Sequence, residues 1–197
     1  TFSITEGTDI VASLDGSDIL FSAPDNFNGS ESFTITVTDG ELTDEETITV
    51  TVNAVNDAPV AEAGLSGTTD EDQSVAVILS GSDVDGDALT FSLGSDATNG
   101  SVVVNGSIAT YAPDANYNGN DSFDFTVSDG EYSSTETVTL TVSAVNDAPV
   151  LAAVSDVSFD EDGTTSITLS ASDVDEDALT FSITEGTDIV ASLDGSD

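Results

Sequence analysis

The sequence contains no lysine, arginine, histidine, cysteine, methionine or tryptophan among its 197 residues. Without histidine, lysine and cysteine it can form no Ser-His or Cys-His nucleophile pair, no Schiff base and no zinc site of thiolates and imidazoles. The 39 Asp and Glu residues give a net charge of −39, which repels nucleic acid and anionic membrane surfaces. We therefore expect no enzyme activity and no nucleic-acid partner.

Long apolar runs are also lacking. No stretch approaches the roughly 20 apolar residues of a transmembrane helix, so no membrane insertion is expected. No signal peptide is visible, and the sequence starts inside a repeated pattern, so a targeting signal would lie outside it. The lack of cysteine gives no evidence about the redox compartment.

The residues that are present favour calcium. Self-repulsion at this charge opposes folding, yet 38% of the residues are hydrophobic and their positions are patterned. Because no basic side chain can neutralise the carboxylates, the counter-charge must come from outside the chain. Carboxylate, amide, hydroxyl and carbonyl oxygens are hard ligands that suit Ca²⁺. Ca²⁺ is scarce in the cytosol, so an extracellular or cell-surface location is favoured.

The sequence repeats at two levels. Residues 55–60 (VNDAPV) recur 90 positions later as residues 145–150. Residues 1–18 are identical to residues 180–197, whereas the intervening copy at 90–107 differs at many positions. The repeating unit is therefore a pair of different domains, as expected after duplication in a tandem array.

These repeats predict the domain boundaries. Residues 1–57 are the C-terminal part of one domain, 58–147 a complete domain, and 148–197 the N-terminal half of a third. We expect both end segments to be completed by neighbouring sequence or by another chain.

Short segments rich in β-branched and aromatic residues, separated by turn residues, predict strands. Residues 101–104 and 107–111 flank Asn105-Gly106 and predict a hairpin with a type I′ turn. The remaining predicted strands are residues 74–80, 89–93, 123–128 and 136–142, with copies at 33–38 and 47–52. About seven strands in 90 residues predict tandem, all-β Greek-key β-sandwiches of immunoglobulin or cadherin type.

Acidic motifs accompany the linkers. The linker AVNDAPV resembles the DxNDNxP connector of cadherin repeats, and Glu71 resembles the glutamate near the start of such a repeat. Residues 82–85 (SDVD) resemble the cadherin DxD loop, and residues 127–130 (VSDG) resemble a later motif that adds an aspartate. These matches run in order through 58–147 and cover most of both end segments. The chain thus resembles the cadherin-like tandem repeats of large bacterial surface adhesins of marine type.

The resemblance implies Ca²⁺ at each junction, with ligands from both adjoining domains. Alternate aspartates in a tight loop can direct several oxygens to one point. Carried over by position, the first junction would use Asp25, Asn56, Asp57, Asp83, Asp85 and Asp129. The second junction would use Glu71, Asp114, Asn146, Asp147, Asp173 and Asp175.

The sequence departs from the family pattern in two places. Ala58 and Ala148 stand where cadherin linkers carry a second acidic or amide residue, so one calcium would be lost or bound more weakly. Gly86 of the first DxD loop is replaced by Glu176 in the second, so the two loops are not expected to bind equally.

Simpler interpretations exist for these motifs. Each acidic loop alone could be a solvated turn, because Asp, Asn and Gly favour turns. An EF-hand fails, because its sixth and twelfth positions, counted from Asp83, hold Ala88 and Gly94. The loop at 116–119 (NYNG) is interpreted as a structural corner in preference to a sugar site.

Three functions remain open. The first is a calcium-rigidified spacer of a giant surface adhesin or fibre, whose partners are the neighbouring repeats of its own chain. The second is an extracellular filament in which copies of the chain complete each other by strand donation. The third is a ligand-binding adhesive module using the loop aromatics Phe27, Tyr117 and Tyr132. A two-carboxylate enzyme is compatible with the composition, but no motif places such a pair in a cleft.

Overall fold

The computed structural model describes residues 1–184, 186–187 and 189–193. Residues 185, 188 and 194–197 of the predicted third domain lie outside the described residues. Within these ranges every regular element is a β-strand, and no helix has the length and apolar character needed to span a bilayer. The strands are β1 (Phe2–Ile4), β2 (Val11–Asp15), β3 (Asp18–Ser22), β4 (Gly29–Thr38), β5 (Thr43–Val52), β6 (Val60–Ala61), β7 (Ser66–Asp70), β8 (Val75–Ile78), β9 (Gly81–Ser82), β10 (Thr90–Ser95), β11 (Gly100–Asn105), β12 (Ile108–Pro113), β13 (Gly119–Ser128), β14 (Ser133–Ser143), β15 (Val150–Leu151) and β16 (Ala171–Ser172).

Strands β6 to β14, here called the middle unit, form a sandwich. One sheet has the order β10-β13-β14-β7 and the other the order β11-β12-β8, while β6 and β9 form a separate short pair. All hydrogen-bonded strand pairs of the middle unit are antiparallel except β7 and β14, which are parallel. Seven of the nine strands have four residues or more, which confirms the predicted all-β fold of about seven strands per domain.

Alternation of apolar and polar residues places the core of the middle unit. Along β13, Phe123, Phe125 and Val127 are at most 1% exposed, while the residues between them point to the other face of the sheet. Val138 and Leu140 on β14 continue the same buried face. Burying large apolar side chains between two sheets supplies most of the free energy that holds such a sandwich together.

Strands β1 to β5, the first segment, repeat half of this pattern. The order β1-β4-β5 corresponds to β10-β13-β14, and the β2-β3 hairpin corresponds to β11-β12. Its buried apolar side chains are Ile10 and Phe33, and Phe21 packs edge-on against Phe33 at a centroid distance of 5.2 Å. The first segment therefore has a small core of its own.

The third segment, residues 150–193, has little paired structure in its described part. β15 and β16 form one two-residue antiparallel pair, equivalent to β6 and β9. Phe159 is 48% exposed and Ile167 is 50% exposed. The apolar residues of this segment therefore lack a described sheet against which to pack.

The structure corrects two details of the strand prediction. β7 was missed, because its sequence SGTTD has no apolar alternation and its position is held by the ladder to β14. The β11-β12 hairpin pairs Asn105 with Ile108, so its loop is Gly106-Ser107. Among these two residues only Gly106 has a positive φ, +59°, which is the pattern of a type II′ turn and not of the predicted type I′.

Candidate metal centres at the two linkers

The first linker is tied to two loops at one end of the middle unit. Asn56 Nδ2 donates a hydrogen bond to Asp129 Oδ2 at 2.9 Å. The backbone N–H of Asp57 donates to Asp85 Oδ2 at 2.8 Å. Pro59, which follows, is buried. The linker therefore contacts both acidic loops that the sequence assigned to this junction.

The loop after β9 gathers three carboxylates. Asp83 Oδ1 accepts hydrogen bonds from the N–H groups of Asp85 at 2.9 Å and Asp87 at 3.2 Å. One oxygen from each of the three carboxylates lies within 4.8 Å of the others. Asp83 Oδ2 is buried without a hydrogen-bond partner. A buried, unpaired carboxylate oxygen beside two further negative charges is unfavourable unless a cation occupies the space between them.

Asp129 is held in its ionised form by the turn that follows β13. Its Oδ1 accepts N–H hydrogen bonds from Glu131 at 2.7 Å and Tyr132 at 2.6 Å. Burial opposes ionisation, but these bonds and the amide of Asn56 outweigh it, so the pKa of Asp129 is lowered. Asp39, in the equivalent turn of the first segment, accepts the same pair of backbone bonds and its pKa is also lowered. Asp129 thus shapes its turn and also faces the linker.

The second linker is held from both sides. The N–H of Val145 donates to Glu71 Oε1 at 2.5 Å, and the N–H of Asp147 donates to Asp175 Oδ2 at 2.7 Å. Glu71 belongs to the middle unit and Asp175 to the third segment. Glu71 is only 4% exposed, which is unusual for a carboxylate in a chain without basic residues. This linker is therefore surrounded by carboxylates from two parts of the chain.

Asp147 lies at the centre of that group. Burial raises the pKa of Asp147, and the charges of Asp175, Asp72, Glu71 and Asp173 raise it further, in that order. Its Oδ2 is buried and has no hydrogen-bond partner. Because the sequence has no positive side chain, this carboxylate cannot form a side-chain ion pair, and its oxygens are candidate ligands for a cation.

The loop after β16 repeats the loop after β9. Asp173 Oδ1 accepts the N–H groups of Asp175 at 3.0 Å and Asp177 at 3.3 Å. Glu176 has a φ of +61°, where Gly86 has +78°. The replacement of glycine by glutamate therefore leaves the turn unchanged, although a non-glycine residue in this region costs conformational energy.

Most of the predicted ligands lie together, and three do not. Around the first linker the structure gathers Asn56, Asp57, Asp83, Asp85 and Asp129, and around the second it gathers Glu71, Asp147, Asp173 and Asp175. Asn146 is exposed and donates to the carbonyl of its neighbour Asp147 at 3.0 Å. Asp25 and Asp114 are exposed and make no side-chain hydrogen bond within the described part of the chain.

The loops that contain Asp25 and Asp114 are not in the same register. In the second copy the N–H of Tyr117 bonds to the carbonyl of Asp114 at 3.0 Å. In the first copy the N–H of Phe27 bonds to the carbonyl of Pro24 at 3.3 Å. The structural equivalent of Asp114 in the first copy is therefore Pro24 and not Asp25. The residues before this turn are placed differently in the two copies.

Sequence reasoning missed two carboxylates, Asp72 and Asp87. Asp72 follows Glu71 with a φ of +59°, and its Oδ1 accepts the N–H of Asn116 at 3.1 Å. The sequence did contain a signal for Asp72, because the Asp-Glu-Asp triplet at 70–72 recurs at 160–162. In that second triplet, Asp162 has a φ of +63°. Asp87 extends the DxD pattern by one further alternate aspartate.

A second set of carboxylates has a structural role away from the linkers. Asp121 accepts the N–H groups of Thr98 at 3.1 Å and Asn99 at 2.9 Å, and the hydroxyl of Tyr111 at 3.0 Å. Burial opposes its ionisation, but these donors and the N–H of Ser122 outweigh it, so the pKa of Asp121 is lowered. Burial and Asp121 together raise the pKa of Tyr111. Oxygens already saturated by the protein are poor candidates for a metal.

Two of the three loop aromatics, Tyr117 and Phe27, have structural contacts, whereas Tyr132 is 46% exposed. The hydroxyl of Tyr117 donates to the carbonyl of Asn120 at 2.7 Å, and this hydroxyl lies beside Gly119, whose φ is +131°. Phe27 lies over Gly29 in the same way. These rings are half-buried in the corners of their loops. They are therefore poorly placed to contact an external ligand.

Comparisons with known proteins agree with this architecture. Residues 56–142, less than half of the chain, match the family model described as a bacterial Ig domain. No curated protein matches the sequence. Among solved structures, domains EC1-2 of human protocadherin-24 match with a TM-score of 0.51 and 17% identity, covering 75% of this chain and 82% of that one. Extracellular cadherin domains 1-4 of protocadherin gamma B7 match with a TM-score of 0.50 and 14% identity, covering 80% of this chain and 45% of that one.

Enzymes also occur among the matches. An endo-fucoidan hydrolase from glycoside hydrolase family 107 matches with 19% identity and a TM-score of 0.39, and the match covers 74% of this chain. The chain spans only 24% of the length of that hydrolase. This level of similarity carries no argument about catalysis. The middle unit is therefore similar to the bacterial Ig domain, and the fold of the chain is similar to that of paired cadherin domains.

Proposed function

We propose that this chain is a calcium-rigidified spacer of an extracellular adhesin or fibre, in which Ca²⁺ at each linker fixes one β-sandwich relative to the next. Domains of the immunoglobulin-like and cadherin-like type are typically extracellular and non-enzymatic. The observation that carries the proposal is Asp147, a linker carboxylate with a buried, unpartnered oxygen among acidic groups of two units.

The ligands fit Ca²⁺ better than other metals. Every candidate donor is an oxygen, and Ca²⁺ takes six to eight of them. At the first linker the residues that would hold the ion are Asn56, Asp57, Asp83, Asp85, Asp87 and Asp129. At the second linker they are Glu71, Asp72, Asp147, Asp173 and Asp175. Each set combines the linker with residues beyond it, so bound Ca²⁺ would resist bending there.

Ca²⁺ would also remove the main obstacle to an extended array of these units. Without it, the carboxylates gathered at each linker repel one another, and two backbone hydrogen bonds oppose that repulsion at the second linker. With it, the same carboxylates attract a common cation. The expected result is a rod in Ca²⁺ and a hinged, partly opened chain in chelator.

Calorimetry and X-ray scattering test this proposal together. We expect calorimetric titration of the chelated protein with CaCl₂ to give saturable binding, and the maximum dimension from scattering to rise as Ca²⁺ is added. Asp147→Asn should weaken binding at the second linker. Asp44→Asn is the matched control, because Asp44 is an exposed carboxylate on β5, away from both linkers. No binding heat and identical scattering curves with and without Ca²⁺ would overturn the proposal.

A further inference from the structure

Four asparagines of the sequence are followed directly by glycine, in the pairs at 28–29, 99–100, 105–106 and 118–119. In such a pair the backbone nitrogen of the glycine can attack the side-chain carbonyl carbon of the asparagine, because glycine has no side chain to hinder the approach. The attack requires a glycine nitrogen that is free of hydrogen bonds and an asparagine whose backbone can rotate. The surroundings of each pair therefore decide whether it reacts in the folded chain.

Two of the pairs lie at the start of long strands, where the glycine belongs to a ladder. Gly119 pairs with Val142 at one end of the β13-β14 ladder. Beyond the other end, the N–H of Asp129 donates to the carbonyl of Tyr132. Because antiparallel pairs alternate along a regular ladder, Gly119 falls in a hydrogen-bonded pair. Gly29 has the same position on β4. The nitrogens of both glycines are therefore expected to be engaged.

The third pair is fixed by hydrogen bonds on both sides of Asn99. The N–H of Asn99 donates to Asp121 Oδ2 at 2.9 Å. The carbonyl of Asn99 accepts the N–H of Asp114 at 2.8 Å and the hydroxyl of Tyr111 at 3.2 Å. A Cβ atom added to Gly100 would lie 2.5 Å from the ring of Tyr111, so the glycine is closely packed as well. Rotation of this backbone would break these bonds, and a slow reaction is expected.

The pair Asn105-Gly106 lacks both restraints. Asn105 closes the β11-β12 hairpin opposite Ile108, and Gly106 lies in the two-residue loop. Both are exposed, and a Cβ atom built on Gly106 would meet nothing within 4 Å beyond its chain neighbours. The carbonyl of Ser107 accepts the N–H of Leu79 at 2.8 Å, but the N–H of Gly106 makes no hydrogen bond within the described part of the chain.

We propose that Asn105 is a site of spontaneous deamidation in the folded chain. The nitrogen of Gly106 loses its proton to hydroxide and bonds to the side-chain carbonyl carbon of Asn105. The bond from that carbon to the amide nitrogen breaks, and ammonia leaves with a proton from water. The resulting succinimide adds one water molecule at either of its carbonyl groups, which gives aspartate or isoaspartate at position 105. Water is the only co-reactant, and no candidate calcium ligand takes part.

The first segment shows that this turn accepts the aspartate product. Asp15-Gly16 stands at the equivalent position and closes the β2-β3 hairpin in the same way. The φ of Gly16 is +65°, and that of Gly106 is +59°. Aspartate at position 105 is therefore expected to keep the hairpin. Isoaspartate adds a methylene group to the main chain, so it should disturb the strand pairing beside the turn.

Ageing of the full chain in mildly alkaline buffer, with and without urea, tests the proposal. In urea the asparagines of all four pairs should react at similar rates, because no structure protects them. In the folded chain, Asn105 should react about tenfold faster or more than Asn99 and Asn118 of the same unit, since those two react only after local opening. A ratio of rates in the folded chain no larger than the ratio in urea would overturn the proposal.

Peptide mapping identifies the position and the product. The sequence offers trypsin no Lys or Arg, so an endoproteinase that cleaves before aspartate is suited. It releases residues 96–113 of the natural chain as one peptide, and aspartate at position 105 adds a cut within that peptide. Isoaspartate at the same position resists the cut and accepts a methyl group from an isoaspartyl methyltransferase.

Two matched variants assign the fast reaction. Asn105→Gln should abolish it, because the longer side chain must close a larger, six-membered ring, which forms slowly. Asn118→Gln is the control and should leave the fast reaction unchanged. Release of ammonia from Asn105→Gln at the natural rate would place the reaction at another residue and contradict the proposal.

Discussion

The middle unit and the first segment have the same strand pattern but different cores. Val127 and Val142 of the middle unit are at most 3% exposed, whereas Val37 is 39% exposed and Val52 is half-buried at the equivalent positions. The difference lies in which strands pack over these side chains, because β6 to β9 cover the middle unit and have no described counterpart over the first segment. Amphipathic strands alone do not make a closed core. The covering strands do.

The largest expected effect that tests this comparison is a core truncation. Leu140→Ala should lower the free energy of unfolding of the middle unit by about 2–5 kcal/mol, because it leaves a cavity in a packed core. Val50→Ala, at the equivalent position on half-buried β5, should cost about 1 kcal/mol or less. All three tyrosines lie in the middle unit, so urea unfolding followed by tyrosine fluorescence measures Leu140→Ala there.

Hydrogen exchange of the β4-β5 amides supplies the measurement for Val50→Ala, since the first segment contains no tyrosine. Similar losses for the two substitutions would show that the first segment closes a core as complete as that of the middle unit. That outcome would remove the contrast between the two regions.

Calcium removal should have the next largest effect, and it acts at both ends of the middle unit. A ligand at about 100 times its Kd stabilises the folded state by about 2.7 kcal/mol, and 1 kcal/mol shifts the Tm of a domain of this size by about 4–8 °C. We therefore expect EGTA to lower the Tm of the tyrosine transition by about 10 °C or more. Melting curves in excess CaCl₂ and in EGTA check this. The Tm of Asp147→Asn should depend less on Ca²⁺, and an equal dependence would contradict the assignment.

Asp121 in the middle unit and Glu31 in the first segment, which accept backbone N–H groups of neighbouring loops, provide a smaller test within each region. Asp121→Asn replaces one of the two carboxylate oxygens, which together accept the N–H groups of Thr98 and Asn99 and the hydroxyl of Tyr111, by an NH₂ donor, at an expected cost of about 1–3 kcal/mol to the middle unit. Glu31→Gln should act likewise on the first segment, because Glu31 accepts the N–H groups of Thr8 and Asp9. Urea unfolding by tyrosine fluorescence should detect the first substitution and miss the second.

The pH dependence of Asp121 has a definite sign. Its pKa in the folded state lies below the ordinary value of 3.8, so the stability it contributes is complete above that value and is lost as pH falls through the folded pKa. Unfolding of the natural chain and of Asp121→Asn should therefore differ most near neutral pH and converge in strong acid. Glu62→Gln, an exposed control, should follow the natural chain throughout.

The carboxylates at the linkers were more predictable from sequence than Asp121 and Glu31. Asp83, Asp85 and Asp147 could be identified because alternate aspartates and a repeated linker leave a pattern in the chain. Asp121 and Glu31 could not, because they differ in residue type and act through backbone groups more than 20 residues away. β7 was missed for a similar reason, since its position depends on the parallel ladder to β14 and not on its own residues.

The smallest expected effect concerns Asp147 in the absence of Ca²⁺. Its folded pKa is raised by burial and by four neighbouring carboxylates, so its ionised form destabilises the second linker at neutral pH. As pH falls through that raised pKa, Asp147 takes up a proton and the penalty disappears. In EGTA, hydrogen exchange of the N–H groups of Val145 and Asp147, corrected for its intrinsic pH dependence, should therefore be slower near pH 5 than near pH 7.

Substitution and Ca²⁺ test this assignment. Asp147→Asn should abolish the pH dependence at the second linker, and saturating Ca²⁺ should reverse it, because protonation then competes with metal binding. Asp44→Asn is the control, because the exposed carboxylate of Asp44 lies on β5, and it should leave the pH dependence unchanged. An unchanged pH dependence in Asp147→Asn would mean that another group titrates at this linker.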